Sequence, residues 1–154
     1  MKLLFCTLIF MFSNLIGFSM TDDITIKPGI GLGSFIINKT LKKEIFIQEK
    51  TREYYHDLGL YFTFDKGEIL TNVLITSSNY CTDKDIRVGS SINEVYAIYG
   101  VAEQQQIDIV KSSKKIGTYG TVLSYKGIQF WINNEEVTSI VVVPELILHL
   151  PDTQ

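Results

Sequence analysis

Two stretches of the chain alternate apolar and polar residues with a period of two, and each leads through a turn into an unbroken apolar run. In the first, Leu60, Phe62 and Phe64 fall on one side of an extended chain, and Tyr61 and Thr63 on the other. In the second, Ile128, Phe130 and Ile132 fall opposite Gln129 and Trp131. That period marks strands with one buried side. The returning arms, Val73-Leu74-Ile75 and Ile140-Val141-Val142-Val143, are apolar on both sides. Such runs suit central strands covered on both faces, or strands at a contact between two units. Asp65-Lys66-Gly67 and Asn133-Asn134 supply the turns. Gly67 suits the left-handed position of a bulged turn, and the asparagines tolerate positive φ.

The hairpins also match each other, which predicts an internal repeat. Gly59 aligns with Gly127, Phe62 with Phe130 and Asp65 with Asn133. After one residue is dropped in the turn, Thr71 aligns with Thr138, Val73 with Ile140 and Ile75 with Val142. Upstream, Ile30-Gly31-Leu32-Gly33-Ser34 aligns with Ile86-Arg87-Val88-Gly89-Ser90. The glycine-rich stretch KPGIGLGSF, from Lys27 to Phe35, has neither the dinucleotide spacing nor the lysine of a phosphate-binding loop. Its shared part, apolar-x-apolar-Gly-Ser, predicts a structural turn leading into a helix.

In the second copy Ser91 and Glu94 have the spacing of a capping box. Ile92, Val95, Ile98 and Tyr99 then form one apolar stripe, and Gly100 supplies a stop. In the first copy Phe35-Ile36-Ile37 extends a strand, and a short helix runs through Leu41, Lys42, Lys43 and Glu44. Polar segments from Glu49 to Asp57 and from Glu103 to Lys115 connect helix to hairpin, and Thr121 to Tyr125 forms a further strand. Each copy reads as a helix and three strands. An amphipathic helix buries its stripe on a sheet, so the fold class is α+β, with two tandem helix-plus-antiparallel-sheet repeats after an N-terminal signal peptide. The expected division is a leader over 1–20, a first repeat over 21–79, a second over 80–145 and a tail over 146–154. Ser77 to Asp85 is the linker.

The leader reading rests on MKLLFCTLIFMFSNLIGFSM: one lysine, an apolar run, then small residues at Gly17 and Ser19. A retained anchor competes, but Ser13 and Asn14 interrupt the run. Cys6 lies too early for a lipid-modified cysteine at the cleavage point. The expected location is secreted or periplasmic, with no stable membrane span once the leader is gone. Cleavage takes Lys2 and no acid from the net charge of −3, and leaves Cys81 as the only thiol. A lone cysteine forms no internal disulfide and reads as a half-buried small hydrophobe, with an intermolecular disulfide as the sharper alternative.

Composition and motifs narrow the chemistry. At 154 residues and 45% hydrophobic, the chain can bury a core. No Lys/Arg cluster stands out, so no nucleic-acid partner is expected. His56 adjoins Asp57, and His149 lies in the tail. Neighbours along a chain rarely converge on one reacting atom, and Tyr54-Tyr55-His56-Asp57 reads as well as a loop leading into a strand. Glu135-Glu136 and the Asp83/Asp85 pair sit in turn and loop positions, where carboxylates are solvated. No metal-ligand spacing and no Gly-x-Ser-x-Gly elbow occurs. Catalytic residues, metal and cofactor are therefore all read as none, and the chain is read as a non-enzyme.

Binding is read from the polar side of the alternation. Tyr61, Thr63, Gln129 and Trp131 fall opposite the core on equivalent strands, and Trp131 is the only tryptophan. Aromatic side chains with a polar tip are common binding anchors. The competing reading packs these aromatics against the other repeat as core. A small ligand, lipid or carbohydrate is the alternative occupant, and a hydrolase a weaker one.

The second copy resembles the SmpA/OmlA family of small bacterial envelope proteins. The resemblance lies in Ile86 to Val95, Tyr99-Gly100, Tyr125 to Trp131 and Val137 to Val141. It is also similar to the related repeats of the secreted β-lactamase inhibitory protein, which has two tandem copies. The chain departs from the envelope family in having no cysteine just after the leader, and in placing Val101-Ala102 where a proline is common. The resemblance implies a helical segment packed on an antiparallel sheet, in a protein-binding module outside the cytoplasm. It implies an envelope or extracellular protein as partner.

Overall fold

The computed structural model describes residues 25–48, 50–111 and 114–145. The expected leader, and the tail with His149, lie outside the described residues. In chain order the elements are β1 (Thr25–Lys27), β2 (Gly31–Leu32), β3 (Phe35–Ile36), α1 (Lys42–Ile45), α2 (Arg52–Asp57), β4 (Leu60–Phe64), β5 (Leu70–Ile75) and β6 (Cys81–Thr82). Then follow α3 (Ile92–Tyr99), β7 (Glu103–Lys111), β8 (Lys114–Tyr125), β9 (Ile128–Asn133) and β10 (Glu136–Val142). The protein is α+β.

Both expected hairpins form, and they lie in one sheet. Its six strands run in the order β4-β5-β10-β9-β8-β7, each antiparallel to its neighbour. The returning arms β5 and β10 meet in the interior of that sheet, with Val73 opposite Val142, Leu74 opposite Val141 and Ile75 opposite Ile140. Both strands are central, so their backbones are paired on each edge.

The register sorts side chains into two faces. Leu60, Ile75, Ile140, Phe130 and Leu123 form one buried row across five strands. Phe62, Val73, Val142, Ile128 and Tyr125 form the next, with Val73, Val142 and Ile128 fully buried. Ile45 of α1, Tyr55 of α2 and Val95 of α3 close over these rows in one continuous core. The helices therefore cover a single face.

The smaller sheet, β3-β2-β1-β6, corrects two expectations. KPGIGLGSF does not lead into a helix; it is an antiparallel meander. Gly31 is required there, since a Cβ would lie 1.9 Å from the Phe35 carbonyl oxygen. Ser77 to Asp85 is not a free linker either, for β6 lies within it and pairs in parallel with β1. The small sheet is tied to the large one where the Gly29 N–H donates to the Gly127 carbonyl at 2.8 Å.

The polar segments also differ from expectation. Arg52–Asp57 is helical rather than a loop, with the Thr51 side chain accepting from the Tyr54 N–H. One inward residue suffices for so short a helix: Tyr55 is 4% exposed and its hydroxyl donates to the Ile45 carbonyl at 3.1 Å. Glu103 to Lys111 is the edge strand β7, and β8 begins at Lys114, well before Thr121. In the first hairpin turn the left-handed residue is Glu68, at φ 60°, rather than Gly67. Asp65 Oδ1 accepts from the N–H groups of Gly67 and Ile69 and supplies the bend. The second turn centres on Asn134 and Glu135, at φ 51° and 65°, one residue later than expected.

Helix α3 starts and stops where the sequence reading places it, but of the expected stripe Ile98 is exposed. Glu94 Oε2 accepts from the Ser91 N–H at 2.6 Å, and Ser91 Oγ accepts from the Glu94 N–H at 3.2 Å. The first of these bonds, and one from the Ser91 hydroxyl to Glu94 Oε2 at 2.9 Å, hold the Glu94 carboxyl below its ordinary value, the Ser91 backbone contributing most. Ser91→Ala should cost about 1 kcal/mol, read as a shift in urea midpoint without a change in slope. A corner with the same hydrogen-bond pattern occurs at Thr40–Ile45, not at Ser34. There Glu44 Oε2 accepts from the Leu41 N–H at 2.8 Å. The Lys42 N–H donates to Glu68 and Leu70 donates to Thr40, as Ile92 donates to Glu135 and Val137 to Ser90.

Candidate functional site

The face of the large sheet away from the helices holds all four residues assigned to binding. Tyr61, Leu74, Val141, Gln129 and Ser124 lie in one row across five strands. Thr63 stands beside Asn72, and Trp131 between Ser139 and Val122, in the neighbouring rows. Tyr61 and Gln129 are separated by two intervening strands, or about 14 Å at ordinary strand spacing. None of these ten side chains is charged.

Exposure is uneven over this face. Tyr61 is 37% exposed and stacks on the His56 ring, with centroids 4.4 Å apart. Leu74, Asn72, Val141, Gln129 and Trp131 are half-buried, Val122 and Ser139 beside Trp131 are buried, and Thr63 and Ser124 are exposed. Trp131 Nε1 is buried and has no hydrogen-bond acceptor among the described residues. Gln129 reaches Ser124 Oγ at 3.4 Å, and the Thr138 hydroxyl donates to the Trp131 carbonyl at 3.1 Å. Tyr61 thus packs on α2.

The groups weighed for chemistry stay apart. His56 faces Tyr61, Glu135 is exposed in the turn and Glu136 at the start of β10, and Asp85 pairs with Arg87. Among the described residues no three His, Cys, Asp or Glu side chains converge on a common point. Cys81 is half-buried. On the covered side, burial pushes the Tyr99 phenol up, against a smaller pull from Thr82, and Lys84 Nζ lies 4.8 Å from its ring centre. Among the described residues no helix is long and apolar enough to cross a membrane.

One feature escaped the sequence reading. A cavity of about 260 Å³ opens between α2 and β4, lined by Phe46, Arg52, Tyr55, His56, Leu60, Tyr61 and Phe62. Its only signal in the sequence is the four-residue spacing of Arg52 and His56, which places both on one side of a helix. That signal depends on recognising α2.

Comparison with protein families, characterised proteins and solved structures returns no match for this chain.

Proposed function

We propose that the protein is an exported, non-enzymatic protein-binding module whose uncharged sheet face docks a protein of the bacterial envelope or extracellular space. The observation that carries this reading is the uncharged face itself, which keeps Tyr61, Thr63 and Ser124 exposed while Val122 and Ser139 on it are buried. Tyr61, Leu74, Val141 and Trp131 lie on it, and the helices bury Ile45, Tyr55 and Val95 on the other side, with His56 of α2 stacked on Tyr61. An antiparallel sheet with one covered face leaves the other to solvent or to a partner. A neutral surface anchored by Tyr and Trp has the composition of an interface centre.

The tandem-copy reading supports it. Val73 aligns in sequence with Ile140 yet pairs with Val142, and Ile75 aligns with Val142 yet pairs with Ile140. The aligned residues Leu74 and Val141 face each other. Equivalent strands crossed in this way are related by a local twofold axis through that pair. Two helix-on-sheet units joined so as to widen one open face agree with the family resemblance and with the export signal.

The test is retention of envelope proteins on the immobilised chain, beside a Trp131→Ala, Tyr61→Ala double variant and an Asn93→Ala control on exposed α3. One protein should be held by the wild type and the control. The double variant should bind it about 30-fold more weakly, as loss of a hot spot implies. Equal retention by the double variant would remove the face from consideration.

A further inference from the structure

The cavity beside α2 has a chemistry of its own. Its floor is an aromatic cluster: the Tyr55 and Phe62 rings meet edge to face at 5.1 Å, and Phe46 stands 6.1 Å from Phe62. Such packing holds the floor rigid without filling the space above it. Apart from tyrosines, the ionisable groups of the wall are Arg52 and His56, one helical turn apart, and no carboxylate lines it. Arg52 forms no ion pair among the described residues. Glu53, the acid next along the helix, is held low by its own backbone N–H and then by the Thr51 hydroxyl, so it serves the start of α2.

The free edge of β4 adds a donor. Thr76 donates to the Gly59 carbonyl at 2.9 Å, which makes Gly59 and Thr76 a bonded pair. Bonded and non-bonded pairs alternate along an antiparallel ladder, so Tyr61 and Thr63 bond inward to Leu74 and Asn72. The N–H of Phe62 therefore points to the open edge, and Phe62 lines the cavity. Arg52, His56 and a backbone N–H stand around an apolar floor that no carboxylate lines, and the Glu53 carboxylate, close enough to interact with Arg52 and His56, stays at the start of α2. That arrangement complements an anion carried on an apolar body.

We infer that this cavity binds a small carboxylic acid with an aromatic or branched apolar body. The carboxylate lies against Arg52 and His56, and the body against Phe46 and Phe62. The volume of about 260 Å³ limits the ligand to less than drug size. The site shares Tyr61 with the open sheet face but does not depend on that face having a partner.

The probe is 3-phenylpropanoate, titrated into the ¹⁵N-labelled full chain, with 3-phenylpropan-1-ol as its uncharged match. The acid should give saturable shifts at the amides of Arg52, His56, Leu60 and Phe62. Arg52→Gln should weaken the acid about tenfold and leave the alcohol unchanged, as loss of one charge-assisted bond implies. Arg52 is exposed, so amides elsewhere in the variant should stay where they were. No saturable shift, equal affinity for acid and alcohol, or an Arg52→Gln variant that binds the acid as well as the wild type each overturns the inference. Arg52→Gln should also retain any protein held by the open face, so the two readings fail separately.

Discussion

Phe130→Ala should lower the stability of the protein by about 3–5 kcal/mol. Phe130 is 0% exposed and sits in the middle strand of β8, β9 and β10, between Leu123 and Ile140. Its ring meets Tyr99 of α3 at 5.1 Å and Tyr125 of β8 at 5.9 Å. Truncation therefore opens a hole under α3 that strands on both sides hold apart. Urea unfolding followed by Trp131 emission reads the loss directly, since the reporter is the next residue. A loss below about 1.5 kcal/mol would mean that Tyr99 and Tyr125 collapse into the hole, and that α3 is loosely seated.

Gly127→Ala should cost about 3 kcal/mol, from two causes. Gly127 holds φ at +76°, in the left-handed region that alanine resists. An added Cβ would also lie 2.3 Å from the Gly29 nitrogen and 2.6 Å from its Cα. Those are backbone atoms, which cannot rotate away, so the Gly29 to Gly127 hydrogen bond must lengthen or break. The Gly29 amide should lose protection against hydrogen exchange along with the global stability. Gly89→Ala is the natural control. It carries the same kind of φ, +94°, but a Cβ there meets nothing within 4 Å. Its cost should be the backbone term alone, about 1 kcal/mol. Equal losses at the two positions would show that the approach of the two sheets contributes nothing.

Much of the fold was legible because some residues admit only one structural use. Ser91 and Glu94 at capping spacing, followed by Ile92 and Val95, fix a helix start, and the bonds at Ser91 are the ones that spacing predicts. Alternation at Leu60–Phe64 and Ile128–Asn133 sorted the two faces, and with them the placement of Tyr61, Thr63, Gln129 and Trp131. The partner of the returning arms was not legible. An apolar run such as Val73-Leu74-Ile75 describes burial and not the neighbouring strand. Helix α2 was hidden because it buries one residue, Tyr55, and one residue has no period. Strand β7 was hidden by Glu103-Gln104-Gln105-Gln106, a polar run without alternation, on an edge where only one side of the backbone needs a partner. The cavity went unread for the same reason as α2.

The pairing of β5 with β10 also constrains the order of events as the chain is made. β4 and β5 are synthesised together and can close their hairpin early, but the far edge of β5 waits for β10, the last of the described strands. β1 waits in the same way for β6. Until Glu136–Val142 has emerged, Leu70–Ile75 offers an apolar strand with an unpaired edge, the form most prone to pair with the wrong chain. The nascent chain must therefore keep β5 shielded from the moment it emerges until Glu136–Val142 has followed it.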